Sequence, residues 1–157
     1  ATFLRATVAA LLDYDSWNVG LSWDGPDGPG RWEGSVLSTF MANGAYCGGG
    51  MWVGRGGTMH DACMDVTVLP PTSVARSLMD TWRLYDGSAW TTRGARRFRA
   101  TTLTAEPLDG APVLLEVDGE QPGTLPIRVE VLPSAMQLRG GWLNSPLLEP
   151  DSAAWRP

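Results

Sequence analysis

At 157 residues and a formal net charge of −5, the chain is one domain's worth of protein, long enough to bury a single sizeable core. Apolar residues make up 43% and charged residues 18%, which excludes disorder, and the acidic balance leaves no basic footprint for nucleic acid. No run approaches the roughly 18 apolar residues that a spanning helix needs, and two cysteines, Cys47 and Cys63, are too few for a disulfide framework, so a reduced, cytoplasmic setting is expected.

The chain opens at Ala1 rather than methionine, as a piece of a longer protein would. Phe3, Leu4, Val8, Leu11 and Leu12 then recur at helical spacing, which predicts a short amphipathic helix over residues 2–13. Trp17, Val19, Leu21 and Trp23 alternate with polar or small residues and read as a strand. The turn signal Gly25-Pro26-Asp27-Gly28-Pro29-Gly30 joins it to a second strand from Trp32 to Ala42, giving an antiparallel hairpin. Next come the three glycines Gly48, Gly49 and Gly50, whose backbone freedom implies a special turn with something lying against it.

Met64 to Leu69 alternates like a half-buried strand and stops at Pro70-Pro71. Thr72 or Ser73 is a fitting N-cap for a helix whose apolar stripe, Val74, Leu78, Trp82 and Tyr85, is expected to pack on the core and to close near Gly87. Trp17 and Trp23 fall on expected buried faces too. Strands follow at Arg96 to Glu106, Val113 to Val117, Ile127 to Leu132 and Met136 to Leu138, with turns at Asp109-Gly110 and Asp118-Gly119. Arg96, Arg97 and Arg99 read as arginines on a solvated sheet face, and the tail after Leu143 as irregular.

Two blocks carry a resemblance. Gly48-Gly49-Gly50-Met51, followed by Asp61 and Met64-Asp65-Val66, and then Val117-Asp118-Gly119-Glu120 with Pro126-Ile127 and Leu132-Pro133-Ser134-Ala135, stand in the order and spacing of a known pattern. Over roughly residues 15 to 140 the chain resembles the C-terminal domain of the diacylglycerol kinase-type lipid kinases, which include bacterial lipid kinases and the sphingosine and ceramide kinases. The fold implied is mainly β, an antiparallel β-sandwich with two short helices. The function implied is transfer of the γ-phosphoryl of ATP to a lipid hydroxyl, of a diacylglycerol or a sphingoid base, with peripheral membrane contact.

By that resemblance Glu120 matches the general base. An acid lifted off a sheet by a tight turn can reach a substrate hydroxyl and accept its proton. Asp118 and Gly48, Gly49 and Gly50 would shape the substrate side. The resemblance also implies a structural Mg²⁺ held by the Asp61 carboxylate and the main-chain oxygens of Thr58 and Cys63, an acceptable partial shell for a hard cation. The pattern's proline falls on Arg55, its alanine on Gly57, the first aspartate of its pair on His60 and its loop glycine on Ala62. If that glycine needs positive φ, Ala62 must strain or reshape the turn. His60, the sole histidine, reads as a loop residue and not as a zinc ligand. The Gly-Gly-Asp-Gly-Thr loop that holds ATP in such kinases does not occur here, nor does a Walker loop. ATP binding is therefore expected of an N-terminal domain outside this chain. The alternative is a β-sandwich module, stand-alone or degenerate, that uses tryptophan-lined surfaces to bind lipid or carbohydrate, or acts in regulation, without catalysis.

Overall fold

The computed structural model describes residues 16–54 and 56–136. The helix expected over residues 2–13, Arg55, residues 137–138 and the tail after Leu143 lie outside them. In chain order the described elements are β1 (Trp17–Asp24), β2 (Gly30–Val36), β3 (Ser38–Ala42), β4 (Met64–Leu69), α1 (Val74–Asp80), α2 (Arg83–Asp86), β5 (Arg96–Ala100), β6 (Thr102–Pro107), β7 (Leu114–Val117), β8 (Glu120–Thr124) and β9 (Ile127–Glu130).

Two antiparallel sheets, ordered β2-β1-β6-β9 and β3-β4-β5, share one core, and β7 with β8 forms a separate hairpin. Val19, Leu21, Leu103 and Ala105 from the first sheet meet Val66, Val68 and Ala100 from the second. Trp23 of β1 stacks on Phe98 of β5 with ring centroids 3.8 Å apart, so the sheets also grip at the edge of the core. The mainly β, antiparallel sandwich read from the sequence is what the chain forms. The Gly25 to Gly30 turn delivers β2 to β1 as expected, and a glycine is required at Gly30 because a Cβ there would strike the Trp23 ring.

Both long strands of the sequence reading prove to be two strands that turn a corner. The Trp32–Ala42 segment breaks at Leu37, and the Arg96–Glu106 segment breaks at Thr101, each half joining a different sheet. Backbone hydrogen bonds hold the corners: the Leu37 N–H donates to the Leu69 carbonyl at 2.8 Å, and the Thr101 N–H to the Asp24 carbonyl at 2.8 Å. Alternation of apolar residues runs through such a corner unchanged, because changing sheets does not change which side faces the core.

β4 also differs from its half-buried reading. Met64, Asp65, Val66, Thr67 and Val68 are all buried. The 43–54 segment crosses its second face, where the Thr67 hydroxyl donates to the Val53 carbonyl at 3.1 Å.

The second helix is bent into α1 and α2. Ser73 caps it, its Oγ accepting from the Arg76 N–H at 3.4 Å, and Gly87 ends it in the left-handed region at φ 73°. At the bend the Thr81 hydroxyl donates back to the Ser77 carbonyl at 2.8 Å. The stripe read as core packing faces outward instead: Leu78, Trp82 and Tyr85 are 40%, 55% and 52% exposed. Periodicity marks one face of a helix as apolar, but only the fold decides what that face meets. Under the helix, Leu37, Leu69, Pro70, Leu84 and Ala89 line a pocket of about 120 Å³, well short of the roughly 300–1,000 Å³ typical of ligand pockets.

Leu103, fully buried between the sheets, is expected to cost about 3 kcal/mol when cut to alanine. Trp82→Ala should change stability by about 0.5 kcal/mol or less, since its ring already faces solvent. Urea midpoints of the two variants test the assignment of core and surface.

Candidate functional site

The triple glycine makes a tight reversal. Cys47 and Met51 exchange two backbone hydrogen bonds at 2.9 Å, and Gly48, Gly49 and Gly50 between them take φ of 34°, 70° and 101°. Nothing among the described residues would touch a Cβ at Gly49 or Gly50, so positive φ rather than close approach requires these glycines. The turn leaves an open, exposed rim. It is pinned from below, where the Trp52 N–H donates to the Leu84 carbonyl of α2 at 2.6 Å and Gly54 N–H to the Ala45 carbonyl at 3.1 Å. Tyr46 stacks on Trp52 beside it, with centroids 5.6 Å apart.

Glu120 opens β8, directly across from Val117. Asp118 and Gly119 form the two-residue link with φ of 51° and 89°, both positive as a type I′ hairpin turn demands. Pro122 has no N–H for the ladder, and the register slips between Leu115 and Val117, opposite it. Glu120 is exposed, and no ion pair engages it among the described residues. Burial first, and then the negative charge of Glu116 on β7, push the Cys47 thiol above its usual range. Cys47 and Cys63 are both free thiols.

The second group of expected residues lies elsewhere. Asp61 folds its own loop: Oδ1 accepts the Cys63 N–H at 3.1 Å and Oδ2 the Thr58 N–H at 3.4 Å, while the Asp61 N–H donates to the Thr58 carbonyl at 3.4 Å. The loop keeps its glycine-type bend although alanine stands there, Ala62 taking φ 59°, a conformation that costs an L-residue about 1–2 kcal/mol. Arg99 of β5 reaches Asp61 Oδ2 in an ion pair. Arg97 pairs with the buried Asp65 at 3.2 Å, its own side chain only 9% exposed. Burial pushes the Asp65 carboxyl above the usual aspartate range, and the Arg97 and Arg99 charges offset this only in part. Gly57 is required beneath this cluster, because a Cβ there would strike the Asp65 carboxylate.

Arg97 and Arg99 are thus the residues that the sequence reading missed, taken as they were for a solvated row. A signal existed: Asp65 on one expected strand and alternating arginines on another are complementary once the strands pair. His60 sits exposed in its turn, as expected of a loop residue. No cluster of three or more metal-ligating side chains occurs among the described residues, and none of their helices is long and apolar enough to cross a membrane.

Comparison with known proteins places this geometry. The model of the YegS C-terminal NAD kinase β-sandwich-like domain matches residues 1–140. Two probable YegS-like lipid kinases, from two strains of Xanthomonas oryzae pv. oryzae, are each 26% identical over 122 residues, 76% of this chain and 38% of theirs. The chain therefore spans under two-fifths of the length of these curated relatives. Among solved structures, a diacylglycerol kinase from Bacillus anthracis str. Sterne superposes with a TM-score of 0.60 at 18% identity, covering 83% of this chain and 42% of its own. A further structure, of a putative diacylglycerol kinase from the same organism, gives a TM-score of 0.60 at 18% identity over 80% of this chain and 40% of its own. At such identities the likeness establishes the fold.

The buried pair yields a direct test. Asp65→Ala leaves the Arg97 guanidinium inside the protein without its carboxylate, and is expected to cost about 3–5 kcal/mol in urea unfolding. A loss under about 1 kcal/mol would mean that the pair is not buried as described.

Proposed function

Because the chain belongs to the YegS C-terminal NAD kinase β-sandwich-like domain family, we propose that it forms the lipid-substrate half of an ATP-dependent lipid kinase. The observation that carries this reading is Glu120, an exposed acid set by a type I′ turn and engaged by no ion pair among the described residues. In that role the glutamate accepts the proton of a lipid hydroxyl while the hydroxyl oxygen attacks the γ-phosphorus of ATP and ADP departs. The protein's task in such a reaction is positioning and charge stabilisation, which suits a rigid turn better than a flexible loop.

ATP would be held by an N-terminal domain of the same protein, for which the greater length of the relatives leaves room. The acceptor class is a diacylglycerol or a sphingoid alcohol. No cavity under the helix is large enough to swallow such a molecule, so the lipid would lie along a surface or between domains. The outward stripe of Leu78, Met79, Trp82 and Tyr85, with the Arg83 guanidinium 5.0 Å from the Trp82 ring centroid, suits peripheral contact with a membrane from the cytoplasmic side.

Transfer of radiolabelled phosphate from ATP to a lipid panel by the full-length protein tests the proposal. Glu120→Gln is expected to lower turnover by about 10²–10⁴-fold with little effect on stability, because the side chain is exposed. Undiminished turnover would remove Glu120 from the reaction. Lipid binding with no turnover in the wild type would favour the non-catalytic module instead.

A further inference from the structure

The Asp61 loop is where a structural Mg²⁺ is expected by resemblance, and the donor set present there does not suit one. We propose that in this chain the Arg99 guanidinium serves as the resident cation of the 58–63 loop in place of a divalent metal. Three observations converge on it.

The first is that the carboxylate is already used. Both Asp61 oxygens accept hydrogen bonds, Oδ1 from the Cys63 N–H at 3.1 Å and Oδ2 from the Thr58 N–H at 3.4 Å, and Oδ2 also meets Arg99. The Thr58 carbonyl, one of the expected metal donors, accepts the Asp61 N–H at 3.4 Å. A magnesium ion needs oxygen lone pairs in octahedral array, and here three of the carboxylate's roughly four lone-pair sites, and one of the Thr58 carbonyl's two, already face N–H groups.

The second is charge balance. Asp61 and Asp65 are answered by Arg97 and Arg99, so these four side chains sum to zero without a metal. A dication brought to Asp61 would meet the Arg99 guanidinium at short range, a repulsion that a half-buried site does not screen well.

The third is register. Asp65 stands opposite Arg99 on the β4–β5 ladder, yet its ion pair is with Arg97, one step along the same face. This diagonal pairing leaves Arg99 to reach beyond the end of β4, to the loop that precedes it. A rigid fork of donors fixed to a strand can thereby hold a loop carboxylate in one orientation, much as a metal would. The expected departures at His60 and Ala62 leave the loop closed, with Ala62 at φ 59°.

Thermal unfolding of the full-length protein without nucleotide, in EDTA and then in about 10 mM MgCl₂, tests the assignment. The wild-type midpoint should move by no more than about 1 °C between the two conditions, whereas a resident magnesium would raise it by about 3 °C or more. Arg99→Gln should lower the midpoint by roughly 5 °C in either condition. A magnesium-dependent rise in the wild type that vanishes in Asp61→Asn would overturn the proposal, as would an Arg99→Gln protein as stable as the wild type. If Arg99→Gln does not fold, wild type against Asp61→Asn decides alone.

Discussion

Two polypeptide corners, at Leu37 and Thr101, constrain everything else in this fold. Each passes a continuous run of backbone from one sheet to the other, so the two layers cannot slide apart or change their facing without breaking a ladder. Leu21 and Leu103 on one side and Val66 and Val68 on the other then meet in a single buried layer. With Trp23 stacked on Phe98 across the gap, β5 is fixed against β1 and against β4 together.

That fixed β5 explains how an electrostatic cluster survives inside a small sandwich. A buried guanidinium is tolerated only where its partner is held in place, and Asp65 is held by the central strand of the second sheet. Gly57 leaves the space the carboxylate occupies, and Asp61 turns its loop about its own side chain. The segment before β4 is thereby tied to β5 by charge and to β4 by chain connection. The glycine reversal is anchored separately, through Trp52 to α2 and through Val53 to Thr67.

The proposed chemistry sits at the least constrained end of this arrangement. The β7–β8 hairpin belongs to neither large sheet, and it presents Glu120 outward through a turn whose two residues both need positive φ. Glu120 is exposed and engaged by no ion pair among the described residues, whereas Asp61 and Asp65 are spent on structure. The aromatic stripe of the bent helix, turned away from the core, gives the same molecule an exposed apolar face, the one that the proposed lipid contact would use.

Local patterns were enough to find β1, the β1–β2 turn, β4, the Ser73 cap, the Gly87 stop and the Asp118-Gly119 link, because each depends on residues adjacent in the chain. The same patterns joined β2 to β3 and β5 to β6, and turned the Leu78, Trp82 and Tyr85 stripe inward, since an apolar period is blind to which surface it will meet. Glu120 was legible as a candidate from the turn beneath it and the block around it. The partners of Asp61 and Asp65 were not, for they lie 38 and 32 residues away and become neighbours only when β5 pairs with β4. Sequence alone determined the strand content, the hairpin turns and the exposed acid, which are short-range consequences of side-chain shape and backbone freedom. Tertiary structure decided the corners, the outward helix face and the guanidinium at the Asp61 loop, because these follow from which distant segments share space.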